Sequence, residues 1–309
     1  MLHQLLPSTL TKPSSLIHPI TCTALAKPNL FIQHNITAAM LALQHIHPTL
    51  NGNKPYKLYY QLQQALQLGC TTIVTYGGVW SNHIAATAAA CQQLRIQSIG
   101  YIRGDEGLTT ATLTQAKACG MQLTYISRVN YASQKATTGQ CSINPLHYHI
   151  PEGGLQALGI KGAALMLNIN NLASYTHIIC PVGTGTTLAG LVNAALPHQV
   201  VLGVNALKGS SFQLASLQPY VINTAVSYSI NNTYHFGGFA KCPSELIAFM
   251  NEWYTNTGIA TDIVYTSKMF YAITQLVQQK QFAEGSNLLI IHTGGLQGNK
   301  SLGAEVLCY

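Results

Sequence analysis

The chain has 309 residues, enough for two domains or one large one, and 48% of them are hydrophobic, so a sizeable core can form. Only 7% are Asp, Glu, Lys or Arg, against about 25% in a typical globular domain, but the hydrophobic content excludes a disordered chain. The 15 basic and 8 acidic residues leave a formal charge of +7 without any basic run, which excludes a nucleic-acid surface and leaves a mild attraction for small anions.

The amino-terminal stretch "MLHQLLPSTLTKPSS" has no basic segment ahead of its apolar residues and contains Pro7 and Pro13. No signal peptide is expected, and no apolar run approaches a membrane span. Cysteines stand at 22, 70, 91, 119, 141, 180, 242 and 308 with no CxxC pair. They read as reduced thiols of a cytoplasmic protein, and their spacing to histidine suggests no metal site.

"NGNKPYKL" at residues 51–58 is a glycine-containing turn that opens a helix. Leu58, Leu62, Ala65 and Leu66 follow at helical spacing, and Gly69 is the expected stop. Lys54 is then either a solvated loop lysine or a nucleophile. Thr71 to Tyr76 reads as a buried strand, Gly77 and Gly78 as a turn, and the Ala-rich segment from Ser81 as a helix. "IQSIGYIR" is the next strand, "GLTTATLTQAKACG" a helix closed by Gly120, and "MQLTYIS" strand-like. From Ser127 to Gln156 periodicity is weak, and a domain connection is expected there. The rhythm then resumes. "HIICPV" reads as a strand, "TTLAGLVNAAL" as a helix, "QVVLGVNAL" as a strand, and "SNLLIIHTGG" as a late strand entering a glycine turn. Alternating strands and helices predict an α/β fold with mainly parallel sheets.

Such sheets bind ligands beyond the carboxyl ends of their strands. The turn "GTGTT", Gly183, Thr184, Gly185, Thr186 and Thr187, offers backbone N–H groups, hydroxyls and a helix start to an anion, or is a plain capped turn. It is not a Walker A loop, and Leu188 stands where a dinucleotide fingerprint needs its third glycine, so a single phosphate fits better than a pyrophosphate. "GGVWSNH" places Ser81, Asn82 and His83 at another helix start, as a carboxylate site or as a cap. A turn lysine, a phosphate loop and a carboxylate loop in one chain are what pyridoxal phosphate and an amino-acid substrate require.

With these segments in view, the chain resembles the pyridoxal-phosphate-dependent D-cysteine desulfhydrase / 1-aminocyclopropane-1-carboxylate (ACC) deaminase family, of the tryptophan synthase β-like fold. The resemblance is carried by "HPTLNGNKPYKL", "TIVTYGGVWSNH", "IPEGG", "GTGTTLAG", "YHFGGFAK", "TDIVYTSKM" and "HTGGLQG", in family order. It implies two three-layer αβα domains with mainly parallel sheets. The larger, cofactor-binding domain comprises residues 1–57 and 149–309, the smaller residues 58–148, with the cofactor in the cleft between them. It implies that Lys54 binds the cofactor's aldehyde, that Lys57 is a second lysine of the motif, and that Asn82 holds the phenolic oxygen. Ser81 and His83 would hold the substrate carboxylate, residues 183–187 the phosphate, and Thr266 the pyridine nitrogen. Tyr265 would be the active-site tyrosine, with Phe239 beside the substrate. A homodimer acting on a small amino acid, without nucleic acid or membrane, is implied as well.

The chain departs from the family in three places. Thr266 stands where ACC deaminases have glutamate, which leaves the pyridine nitrogen less protonated. Phe239 stands where a tyrosine is common. "ALQHIHP" replaces an Arg-x-Asp pattern, a change expected to affect local structure. The first two favour β-elimination, D-cysteine to pyruvate, ammonia and hydrogen sulfide, with Lys54 as base for the Cα proton. The alternatives are ACC deamination and, in another class, a cofactor-binding protein with little turnover.

Overall fold

A computed structural model describes residues 17–19, 30–46, 50–208, 217–303 and 305–309. The amino-terminal stretch, Cys22 and the "HPT" of the first family segment lie outside the described residues.

Among the described residues, eleven strands form two sheets and nine α-helices accompany them. The chain runs β1 (Ile17–Pro19), α1 (Leu30–Gln33), β2 (Thr37–Ala42) and α2 (Lys54–Gln67). It continues β3 (Thr72–Gly78), α3 (Asn82–Leu94), β4 (Gln97–Arg103), α4 (Ala111–Ala118), β5 (Gln122–Ile126) and α5 (Arg128–Gln134). Then come β6 (Gly139–Gln140), β7 (His147–Ile150), α6 (Ala157–Ala164), β8 (His177–Val182), α7 (Thr186–Ala194) and β9 (Val200–Asn205). The last elements are β10 (Ser227–Asn231), α8 (Ser244–Thr257), α9 (Thr266–Gln278) and β11 (Asn287–His292).

The six-stranded sheet has the order β1-β2-β11-β8-β9-β10 and is parallel except for β1. Its central strands are apolar on both faces, as a covered parallel sheet requires. Ile178, Cys180, Leu289 and Ile291 pack with Ile160 and Met166 of the α6 region and with Leu188 and Leu191 of α7. Ile179, Leu288 and Ile290 pack on the opposite side with Trp253 of α8 and with Met269, Phe270 and Ile273 of α9. The five-stranded sheet, β5-β4-β3-β7-β6, is parallel except for β6. Ile73, Tyr148 and Ile150 face α2 and α3, while Val74 and Tyr76 face Tyr131 of α5. The expected α/β class with parallel-dominated sheets is what the structure shows.

The segment expected as a connection is partly sheet: β7 pairs with β3 in register His147↔Thr72 through Ile150↔Thr75. The expected boundary at 149 therefore falls inside a strand, and that at 57 inside α2. Gly77 and Gly78, expected as a turn, end β3 instead. The "ALQHIHP" stretch forms a 3₁₀ turn over Leu43–His45, and the Leu43 carbonyl accepts the Gly52 N–H at 2.9 Å. Among the described residues no helix is long and apolar enough to cross a membrane.

Helix α2 belongs to two cores. Tyr56 packs in the core between the six-stranded sheet and α6/α7, whereas Leu58, Leu62 and Ala65 pack against the five-stranded sheet. The approach of α6 is close: a Cβ on Gly162 would lie 1.9 Å from the Tyr56 carbonyl oxygen. Gly162→Ala should therefore force the two helices apart at a cost of about 1–3 kcal/mol. Gly298→Ala, where a Cβ meets nothing within 4 Å, is the control. The shift in urea midpoint at constant m-value measures the difference, and equal midpoints for the two variants would refute the contact.

Candidate active site

The carboxyl ends of β3 and β8 open onto the loops that hold Ser81 to His83 and Gly183 to Thr187, and the turn after β11 supports the lysine turn. Lys54 is the first residue of α2, preceded by Gly52 at φ +71°. A side chain at 52 is excluded twice over, since that backbone favours glycine and a Cβ would lie 2.1 Å from the Thr293 carbonyl oxygen. Asn53 donates its backbone N–H to the same carbonyl at 3.2 Å. The lysine turn is thus seated on the turn after β11.

The Asn53 carboxamide joins the two halves of the site. Its Oδ1 accepts from Lys54 Nζ at 2.6 Å, and its Nδ2 donates to Thr187 Oγ1 at 2.7 Å. The half-buried Lys54 amine has its pKa lowered to about 8 by burial, opposed by the negative charge of Asp262. Lys57, one turn on, is buried and lowered to about 7 by burial and by the charge of Lys54. Neither amine has a carboxylate in ion-pair contact among the described residues, so desolvation dominates.

The loop between β8 and α7 passes through Gly185 at φ +87° into the first turn of α7, whose leading N–H groups have no intrahelical acceptor. Its three hydroxyls are not equivalent. Thr186 Oγ1 donates to the Gly153 carbonyl at 3.1 Å, and Thr184 Oγ1 lies 3.0 Å from Thr186 Oγ1. Thr187 Oγ1 already accepts from Asn53, which leaves its proton to donate to a ligand. Tyr265 closes the loop from the other side, and a Cβ on Gly183 would lie 3.0–3.4 Å from its ring and hydroxyl. Burial, with the charges of Asp262 and Glu152, raises the Tyr265 pKa, so the phenol stays protonated. Phe239, 45% exposed, meets the Tyr265 ring edge-on at 6.2 Å.

At the start of α3, Ser81 is the N-cap and its Oγ accepts the Ile84 N–H at 3.3 Å, leaving the hydroxyl proton free to donate. Asn82 Oδ1 is buried and has no partner among the described residues.

Two expected assignments change. His83 does not hold a carboxylate: it is buried, and its Nε2 lies 2.9 Å from Thr75 Oγ1, whose proton goes to the Ile150 carbonyl. Nε2 is therefore the protonated nitrogen, and burial plus the charges of Lys57 and Lys54 lower the pKa to about 3. The remaining nitrogen, Nδ1, is a buried acceptor without a partner, which cannot bind an anion. Thr266 does not offer its hydroxyl to a ring nitrogen. It is fully buried, donates to Asp262 Oδ1 at 2.7 Å and accepts the Asp262 N–H at 2.7 Å. Asp262 caps α9 in return, taking the N–H groups of Val264, Tyr265 and Thr266. An acid four residues before a threonine at a helix start is the sequence signal for this pair.

Lys268 has no counterpart among the expected site residues. It is fully buried on α9, and its ammonium donates to the carbonyls of Gly238 at 2.6 Å and Ala206 at 3.3 Å. That clamps the loop carrying Phe239, in which Phe236, Gly237, Gly238 and Ala240 all have positive φ. A lysine inside the apolar run of a helix is the only sequence signal for it.

The arrangement fits the expected pyridoxal phosphate. It offers at Lys54 an amine of lowered pKa that opens α2, a helix start with a donor hydroxyl for a phosphate, and at Asn82 a carboxamide whose buried oxygen has no partner among the described residues, for a ring substituent.

The family model described as "Pyridoxal-phosphate dependent enzyme" matches residues 20–294. A Thermotoga maritima protein described as a putative 1-aminocyclopropane-1-carboxylate deaminase is 31% identical over 274 residues, covering 80% of this chain and 85% of its own. The mitochondrial bifunctional D-cysteine desulfhydrase/1-aminocyclopropane-1-carboxylate deaminase of Arabidopsis thaliana is 28% identical, covering 81% of this chain and 70% of its own. A crystal structure described as an ACC deaminase homologue superposes with a TM-score of 0.76 at 24% identity, covering 92% of this chain and 90% of that one.

Because the folded Lys54 amine loses its proton near pH 8 rather than at the ordinary 10.5, its reactivity should rise through pH 8 and level off above. Trace reductive methylation of the cofactor-free protein, read by peptide mass spectrometry across pH 6–11, reports that midpoint. A midpoint above pH 10 would show that burial does not control this amine.

Proposed function

The chain belongs to the pyridoxal-phosphate dependent enzymes, and from that premise we propose that it is a lyase that degrades a small amino acid, D-cysteine first among the candidates. The observation that carries the reading is the Lys54–Asn53–Thr187 chain, which sets an amine of lowered pKa beside an anion-binding helix start. When bound, pyridoxal phosphate supplies an aldehyde that joins to amines and a ring that draws electrons from the adjacent carbon.

In this reading the protein's own groups do the following. Lys54 Nζ would be the amine that holds the cofactor's aldehyde. The Thr187 hydroxyl and the first N–H groups of α7 would hold the phosphate, and Asn82 would hold the phenolic oxygen. The Ser81 hydroxyl and the start of α3 receive the substrate carboxylate. With a substrate bound, Lys54 Nζ would be the base for the Cα proton, as its pKa of about 8 allows near neutrality. From D-cysteine, with one water consumed, the products would be pyruvate, ammonia and hydrogen sulfide. Tyr265, protonated and against the phosphate turn, orients the substrate or donates a proton.

One feature favours this substrate class. Phe239 brings no second phenol, which suits a substrate whose leaving group itself accepts electrons. A second reading, ring opening of 1-aminocyclopropane-1-carboxylate, is favoured by the descriptions of the Thermotoga maritima and Arabidopsis thaliana relatives.

A panel of D-cysteine, L-cysteine, D-serine and 1-aminocyclopropane-1-carboxylate, followed by 2-oxo-acid release, separates the two. The expected order puts D-cysteine first. Faster turnover of the cyclopropane would replace the first reading by the second. Lys54→Ala should lose both turnover and borohydride-stable attachment of pyridoxal phosphate, whereas Lys57→Ala should keep the attachment. Trapping of the cofactor on Lys57 in the unaltered protein would overturn the assignment of Lys54.

A further inference from the structure

Away from the lysine turn, one face of α5 carries charge in a pattern. Arg128, Tyr131, Ala132 and Lys135 recur at i, i+3, i+4 and i+7, so they project on the same side. Arg103, at the carboxyl end of β4, faces them, and the five line a cavity of about 380 Å³. The guanidinium of Arg103 lies 5.4 Å from the centre of the Tyr131 ring, a cation–π contact. Tyr131 is only 2% exposed and donates its hydroxyl to Glu152 Oε1 at 2.7 Å. Glu152 Oε2 lies 3.4 Å from Lys135 Nζ.

The charge count is uneven. Three cations meet one carboxylate, and that carboxylate is already shared by Tyr131 and Lys135. Among the described residues neither Arg103 nor Arg128 forms an ion pair. In a chain with only 15 basic residues, gathering three on one concavity costs mutual repulsion that an anion would remove. The cavity borders the cleft without sharing its residues. A Cβ on Gly78, just before the Ser81 loop, would lie 3.7 Å from Arg103 Nη2. Beyond Glu152, the Gly153 carbonyl holds the Thr186 hydroxyl.

We propose that this cavity binds an oxyanion, a phosphate or carboxylate group of a small molecule, between the guanidinium groups of Arg103 and Arg128 with Tyr131 as its floor. Two planar forks suit a planar or tetrahedral oxyanion better than point charges do. The group is either the distal acid of an amino-acid substrate or a separate small anion. The binding itself needs neither the assigned substrate nor turnover.

The test uses the pyridoxal-phosphate-loaded protein, so that the cofactor's own cradle is filled. Inorganic phosphate and citrate are titrated by calorimetry at constant ionic strength, with chloride as control. Saturable binding of at least one is expected. Arg103→Gln combined with Arg128→Gln should weaken it tenfold or more, at unchanged melting temperature, while Lys117→Gln, at an exposed position of α4, should leave it alone. Equal binding by the double variant, or no saturation beyond chloride, overturns the proposal. The two sources are told apart with O-phospho-D-serine. A KM below that of D-serine, lost in the double variant, identifies the substrate's own acid. Phosphate binding without that preference identifies a separate anion.

Discussion

One carboxamide holds the site together. Asn53 reaches Lys54 with its oxygen and Thr187 with its nitrogen, and so ties the start of α2 to the start of α7. The two helices follow different stretches of chain, and no other bond described between them carries the same geometric demand. The Gly52 turn, seated against the Thr293 carbonyl, fixes where the carboxamide stands. Three chain segments thus converge on one residue, which places the Lys54 amine at a set distance from the turn that opens α7. Positioning of this kind converts a reaction between separate partners into one within a single assembly.

The site tunes its amines by withholding water rather than by supplying counter-charges. Lys54 and Lys57 are lowered chiefly by burial, and Lys57 also by its neighbour's charge. The nearby acid, Asp262, spends its oxygens on three backbone N–H groups and the Thr266 hydroxyl. That fits a chain poor in ionisable residues, which has few counter-charges to supply. His83 follows the same logic, kept neutral inside the protein by burial and by two ammonium groups.

Much of the architecture is legible in the sequence because strand and helix patterns are strong. "HIICPV" is β8 from end to end, and the late strand, the Ala-rich helix and Gly120 fall where periodicity places them. The strand β7, "HYHI", is not legible, since two histidines and one tyrosine carry no clear apolar alternation and its pairing with β3 is long-range. At the site, the glycine turns and the Ser81 cap are readable from local chemistry. The inward turn of His83 is not, because it depends on Thr75, eight residues away in another element. Thr266 escapes the sequence for a related reason: its partner precedes it by one helical turn, and only the folded backbone shows both ends of that pair engaged. Lys268 is hidden because its acceptors are backbone carbonyls, which leave no trace in side-chain spacing.

The divided allegiance of α2 has a mechanical side. Its first turn is fastened into the larger core through Tyr56, and the rest of its length into the smaller through Leu58, Leu62 and Ala65. A lever fixed near one end moves least at that end. Rocking of the five-stranded sheet against the six-stranded one would therefore swing the far turns of α2 through the largest arc and leave Lys54 almost at rest. In such a motion Lys54 would stand at the fulcrum, and its reach through Asn53 to Thr187 would change least.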